Sequence, residues 1–338
     1  MFHCLYYRAK KKTPPPINSD NQEVNTIKSR AVVEDGVMKF RDIDHLHEVL
    51  ELFKDDFALL EKNYGYVSYN SKINQVMDDF ELITSESELK AFMKENQNYI
   101  TTRTLNGEEH YEPTVRSYVN GYIANQDGLF YIQDSVYRVV GEFMISAEYT
   151  KSKNLLKVNY QDITKPNRKA NYKIKKYIKI QNKVNQTTLK STSTYLGGYL
   201  NAMEEKNGNR RVYLDATAGI EDIAGGFYYY VNLEIEAKKK AWIGWRKYNT
   251  TLYITGTDPV PTPPMAGTDI IVSTPYWGIK MFHIPYSTYS GKSKVIGLYS
   301  NIYYTNDPYG LPIYFTRAKV KAMTGGTDPL WAIIDAEE

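Results

Sequence analysis

From residue 228 to 256 the chain alternates apolar and polar positions with a period of two. Val231, Leu233, Ile235 and Ala237 fall on one face, with Tyr230, Asn232, Glu234, Glu236 and Lys238 on the other. This is the pattern of a strand with one buried side. After the lysine run the period resumes, with Tyr248, Thr250, Leu252 and Ile254 opposite Asn249, Thr251, Tyr253 and Thr255, so the stretch predicts two long strands. Residues 172–180, 211–214, 241–246, 270–273, 280–284, 295–304 and 313–323 read as further strands, and no helical period appears beyond about residue 143. Many strands without intervening helices predict an antiparallel β-sandwich-like domain over residues 143–325. Pro259, Pro261, Pro263 and Pro264 must interrupt the sheet in a loop over 256–267, because proline cannot donate to a ladder.

The first part reads differently. Asp35-Gly36 between Val32-Val33 and Val37-Met38 predicts a short hairpin. Asp42 is placed as an N-cap, and Ile43, Leu46, Leu50, Phe53, Phe57 and Leu60 form one stripe down a single helix that Tyr64-Gly65 ends. Ser85 and Glu88 have capping-box spacing ahead of a second helix bearing Leu89, Phe92 and Met93. Residues 98–112 are polar and read as loop. Val115, Val119, Tyr122 and Ile123 suggest a short helix, after which Asp127-Gly128 leads into a hairpin over 129–140. Residues 31–142 are therefore expected as a small α+β unit, so that the fold class is α+β. Residues 1–30 have the composition of a tether, and residues 326–338 are left as a tail.

Length allows two domains at 338 residues. The 31 tyrosines against 11 phenylalanines favour exposed β surface, since tyrosine suits a strand face with one wet end. A net charge of +3 is too small to imply a nucleic-acid or membrane partner from global balance alone. The single cysteine, Cys4, excludes an intrachain disulfide. No apolar run is long enough to span a bilayer as a helix. The short apolar run from Phe2 to Tyr7 precedes Arg8 and Lys10, the reverse of a secretory signal, so either the protein stays inside the cell or its true start lies upstream.

Three segments carry a resemblance. Val32-Val33-Glu34-Asp35-Gly36-Val37-Met38-Lys39-Phe40 is followed by Asp42 and an amphipathic helix. Asn125-Gln126-Asp127-Gly128-Leu129-Phe130-Tyr131-Ile132 precedes Asp134 and Val136-Tyr137-Arg138. The third is Lys240-Ala241-Trp242-Ile243-Gly244-Trp245-Arg246. Together they resemble uncharacterised secreted or lipoprotein-type proteins of the Bacteroidetes. The resemblance implies an envelope or exterior setting and brings no catalytic residues. Such proteins carry a lipid-anchor cysteine after an apolar run, and Cys4 lacks that run.

No catalytic, cofactor or metal set is legible. His45 and His47 sit two apart on a predicted helix, so they point to different sides and read as surface residues. There is no Gly-x-Ser-x-Gly elbow. A glycosidase needs two carboxylates about 5–10 Å apart; Asp215, Glu221, Asp222, Glu234 and Glu236 are the candidates, with Glu234 and Glu236 better read as solvated sheet surface. Lys165, Arg168, Lys169, Lys173, Lys175, Lys176, Lys179, Lys183 and Lys190 occur without an acid between them, interleaved with Tyr172 and Tyr177. Lys173, Lys175, Tyr177 and Lys179 are thus candidate contacts for an anionic polymer. Their alternation with Ile174, Ile178 and Ile180 is also how an edge strand is protected, and that reading ranks first. Tyr276, Trp277, Tyr286 and Tyr289 are a candidate sugar-stacking group, ranked behind a role in capping the core.

The reading that results is a non-enzymatic binding or scaffolding protein of the cell envelope or exterior. Its expected partner is a surface glycan or another envelope protein rather than nucleic acid. The alternatives are a polysaccharide hydrolase with paired carboxylates and an anionic-polymer binder.

Overall fold

A computed structural model describes residues 32–54, 56–105, 108–114, 117–163, 172–176, 178–180, 198–223, 226–241, 244–256, 269–274, 277–304 and 313–337. Asp35 and Gly36 both take positive φ, 52° and 72°, the angles of a two-residue hairpin turn. They close β1 (Val32–Glu34) on β2 (Val37–Phe40). Asp42 caps the helix Ile43–Phe53 by accepting from the His45 amide at 2.7 Å. The stripe predicted to run on to Leu60 is broken. The Asp56 carboxylate accepts from the Ala58 amide at 3.0 Å, a local bond that competes with the helical ladder, and a separate helix, Leu59–Tyr64, ends at Gly65 with φ 71°. Ser68 caps the helix Tyr69–Phe80, and the Ser85/Glu88 capping box opens the helix Glu86–Glu95.

The loop expected over 98–112 is instead a hairpin of β3 (Ile100–Leu105) and β4 (Glu108–Pro113). Its polarity conceals the β-branched Thr101, Thr102 and Thr104, which suit a strand with wet surfaces. β5 (Leu129–Ile132), β6 (Ser135–Val140), β7 (Phe143–Glu148) and β8 (Lys173–Lys176) join the first hairpin in a sheet of order β1-β2-β5-β6-β7-β8. Only β2 and β5 run parallel. β7 and β8 thus lie in the first sheet although they follow residue 142. Helices cover both faces: Leu46, Val49, Leu50 and Ile73 cluster with Phe40, Phe130 and Ile132, while Leu155, Val158 and Ile163 cluster with Val136, Val140 and Ile145.

The remainder is strand after strand: β9 (Ile178–Ile180), β10 (Tyr199–Lys206), β11 (Arg210–Asp222), β12 (Gly226–Ala241), β13 (Gly244–Lys247), β14 (Thr250–Gly256), β15 (Ile270–Thr274), β16 (Gly278–Phe282), β17 (Ser287–Gly291), β18 (Ser293–Tyr304), β19 (Tyr314–Thr324) and β20 (Trp331–Glu337). β11 and β12 form the centre of one sheet; β10 and β9 follow each other along the outer edge of β11, as β13 and β18 do along β12. In the other sheet β19 carries β20 on one edge and β14 and β15 in line on the other, with β17 and β16 outside them. All these pairs are antiparallel, and the inward residues of both sheets share one cluster, including Leu214, Leu233 and Ile235 from the first and Ile254, Val272, Phe315 and Ile334 from the second.

The chain departs from two expectations. Residues 172–180 are two strands in two different sheets, and residues 331–337, assigned to a tail, are β20, whose Ala332, Ile334 and Ala336 alternate inward. The expected tether and proline-bearing loop lie outside the described residues.

The pattern of β12 is half right. Val231, Leu233, Ile235 and Ala237 are fully buried as predicted, but Tyr228, Tyr230 and Asn232 on the opposite face are buried too. The helical layer covers that face: Tyr228 meets Phe57 edge-on at 5.4 Å and Tyr230 packs on Tyr118 at 4.3 Å. Tyrosine richness therefore does not mean exposed sheet at this strand. Tyr228, Tyr230, Ile223 and Ile302 belong to the same cluster as Leu46 and Phe130, so sheet and helices share a core.

Gly256 ends β14 where the buried Asp269 carboxylate crosses the gap to β15. Asp269 accepts from the Ile284 amide at 2.8 Å and lies 2.8 Å from His283 Nδ1. A Cβ on Gly256 would stand 1.9 Å from an Asp269 oxygen. Gly256→Ala is therefore expected to destabilise the protein by about 1–3 kcal/mol through overpacking, measured by urea unfolding; an unchanged midpoint would show that Asp269 can move aside.

Candidate groove between helix, hairpin and sheet

A groove of about 960 Å³ opens where three elements fail to close on each other. The helix Glu86–Glu95 supplies Glu86, Leu89, Lys90 and Met93, which recur on one helical face. The hairpin supplies Thr102, Glu109 and Tyr111, and the β12–β13 turn supplies Lys240, Ala241, Gly244 and Trp245. No residue of this helix is fully buried; Leu89, Phe92 and Met93 lean on the small cluster of Val76, Phe80, Ile83 and Ile100, and Leu89 and Met93 leave part of their apolar surface to the groove. A second hollow of about 560 Å³ shares Met93 and Thr102 with the first and adds Lys94, Gln97, Ile100, Thr101 and Tyr160.

Buried charge fixes the walls. Arg246, on β13, donates to the carbonyls of Glu81 and Ile83 at 2.7 and 2.8 Å, and the Lys247 amide donates to the Glu81 carboxylate at 3.1 Å. The segment from which the helix Glu86–Glu95 departs is thereby pinned to the sheet. Burial pushes the Glu81 carboxyl above its ordinary value, with the Lys247 amide and nearby cations opposing. Trp245 is buried, with the Arg211 guanidinium 3.7 Å from its ring centre, a cation–π contact held by the Arg211–Glu205 bond of 2.6 Å. The groove acids are already engaged: Glu86 pairs with Lys90 at 2.7 Å, and Glu109 accepts from Tyr111 Oη at 2.9 Å.

The acids named from sequence do not converge in a cleft. Glu221 is fully buried, accepting from the amides of Tyr118, Val119 and Asn120, from Ser117 Oγ and from Asn120 Nδ2. Burial raises its pKa, while those donors, led by Ser117, pull it down. Its neighbour Asp222 pairs with Lys175 at 2.5 Å, and Asp215 accepts from Tyr199 at 2.7 Å. Glu236 is not solvated surface: it is largely buried between Lys238 and Lys247. Nor is His45 on the surface; it is buried with its ring edge-on to Phe40 at 5.9 Å, on the core side of its helix, while the His47 ring lies tilted against Tyr304 at 4.0 Å. Among the described residues no group of three or more His, Cys, Asp or Glu is placed to hold a metal ion, and no helix is long and apolar enough to cross a membrane.

The other predicted contacts are scattered. Lys173 and Lys175 are exposed on the edge strand β8, and Lys176 beside them pairs with Glu142 at 2.8 Å. Lys179 is on β9 in the neighbouring sheet, opposite Ile220, and Tyr177 lies outside the described residues, as do Lys165, Arg168, Lys169, Lys183 and Lys190. Trp277 is part-buried at the sandwiching of the two sheets, edge-on to Tyr229, Tyr299 and Tyr303 at 5.5–6.1 Å. Tyr289 packs on the same core under Lys294. Among the described members of the group Tyr286 alone is well exposed, 64%, stacked on Tyr253 at 5.9 Å; Tyr276 lies outside the described residues. The groove residues of the hairpin escaped the sequence reading; the threonine spacing ahead of Tyr111 was the signal available.

No family model matches the chain, and no curated protein matches it. Among solved structures it is similar to a DUF4848 family protein from Bacteroides thetaiotaomicron VPI-5482, 11% identical, with 90% of this chain and 100% of that one covered and a TM-score of 0.27. A likeness of that size carries no argument.

Proposed function

We propose that this chain is a non-enzymatic binding protein of the cell envelope or exterior, and that the groove walled by the helix Glu86–Glu95 is where it takes its ligand, a glycan or a segment of another protein. In this reading the chain is a helix/hairpin unit followed by a sandwich-like β domain, with the divide beyond β8 rather than at residue 142. One observation carries it: the groove is open, part apolar, and walled by both parts of the chain, while its two acids are held by Lys90 and Tyr111. Sites of this size with a few polar groups in an apolar lining suit recognition.

The test is a screen of the full chain on a glycan array and on an array of linear peptides, repeated with Leu89→Arg/Met93→Arg. A ligand from either array that weakens by about tenfold or more with the variant supports the reading. Ligands that bind the variant equally well, or none on either array, defeat it. Thermal melting of the variant establishes that it is folded.

A further inference from the structure

The two hollows along the helix Glu86–Glu95 are one channel, and its second wall is the edge of a strand. They share Met93 and Thr102. Thr101 and Thr102 both line the smaller hollow, yet neighbouring residues of a strand point to opposite faces. A cavity touched by both must be open at the strand edge between them. That edge belongs to β3, which pairs only with β4 among the described residues. Its outward backbone donors and acceptors therefore face the smaller hollow, opposite Met93 and Lys94.

The first hollow carries Glu86 and Glu109 beside Lys90 and Lys240, so neither sign of charge prevails there, and Leu89, Met93 and the ring of Tyr111 give it an apolar stretch. A helix of ten residues is about 15 Å long, the span of four or five residues of extended chain at about 3.3 Å each.

We infer that the occupant is an extended peptide that adds to the β3 edge as a third strand of the hairpin. Backbone hydrogen bonds to β3 hold it, and alternate apolar side chains enter between Leu89, Met93 and Tyr111. Strand addition of this kind draws affinity from main-chain bonds and specificity from side-chain pockets. A glycan has no run of amides to pair with the strand edge. This inference rests on the reading of the groove as the ligand site.

The experiment pans a linear random heptapeptide library on the full chain and measures the enriched peptides by fluorescence polarisation. The expected result is enrichment of peptides with apolar residues at alternate positions. Methylating the alternate backbone nitrogens that face β3 should weaken them by about tenfold or more, as should Leu89→Arg/Met93→Arg. Peptides that tolerate methylation at every alternate amide overturn the inference. So does a groove that binds only glycans, sensitive to Leu89→Arg/Met93→Arg, which leaves the groove reading standing; no groove-dependent ligand of either class removes both.

Discussion

Replacing Glu221 by alanine should lower the unfolding free energy by about 3–5 kcal/mol, the cost of removing one partner from a buried charged network. The carboxylate lies at the end of β11 and takes hydrogen bonds from three consecutive amides, Tyr118 to Asn120, and from the side chains of Ser117 and Asn120. Alanine leaves those donors buried without an acceptor, and a buried donor without a partner costs its full desolvation. Glu221→Gln keeps one acceptor oxygen and should cost less. The two variants also separate burial from charge through pH. Because burial holds the Glu221 carboxyl above 4.5 in the folded state, its proton is bound more tightly folded than unfolded. Its contribution is therefore fully present below pH 4.5 and is lost as pH rises through the folded value. Wild type should accordingly lose stability relative to Glu221→Gln on raising the pH from 4.5. Urea unfolding of both proteins across that range measures it; a constant difference would mean that Glu221 titrates alike folded and unfolded.

Tyr230→Ala should cost about as much, roughly 3–5 kcal/mol, the range for truncating a large core aromatic. Tyr230 is 1% exposed, 4.3 Å from the Tyr118 ring and 6.0 Å from Tyr228. It also lies over its cross-strand partner Gly219, where a Cβ would stand 2.4 Å from the tyrosine hydroxyl. Removing the ring opens a cavity shared by β12 and the helical layer. The expected signature is a loss of amide protection at Tyr118–Ile123 together with β12, read by hydrogen exchange. Loss confined to β12 would show that the layers do not depend on each other.

Much of the strand content was legible because burial writes a period of two into Val231, Leu233, Ile235 and Ala237. The helix caps at Asp42 and Ser85 were legible because each uses a local side-chain bond. What the alternation could not convey was the second cover on β12: Tyr228, Tyr230 and Asn232 are chemically acceptable on a wet face, so nothing in their pattern announces the helices above them. Polarity hid β3 and β4 for the same reason. The basic run from Lys173 to Lys179 read as one surface because sequence cannot tell that the chain leaves one sheet for another between Lys176 and Ile178. The groove depends on Arg246 reaching the carbonyls of Glu81 and Ile83 from far along the chain, a pairing with no local trace.

β14 and β15 lie end to end on β19, with Gly256 opposite Val320, Ile270 opposite Ala318, and the Lys319 amide donating to the Asp269 carbonyl between them. The chain thus departs and returns at almost the same rung, so the length of what is carried between has little leverage on the ladder. Doubling such a segment adds only about 0.6 kcal/mol of closure entropy. This junction is the natural place to splice in a foreign epitope or a fluorescent reporter while both half-strands keep their partners.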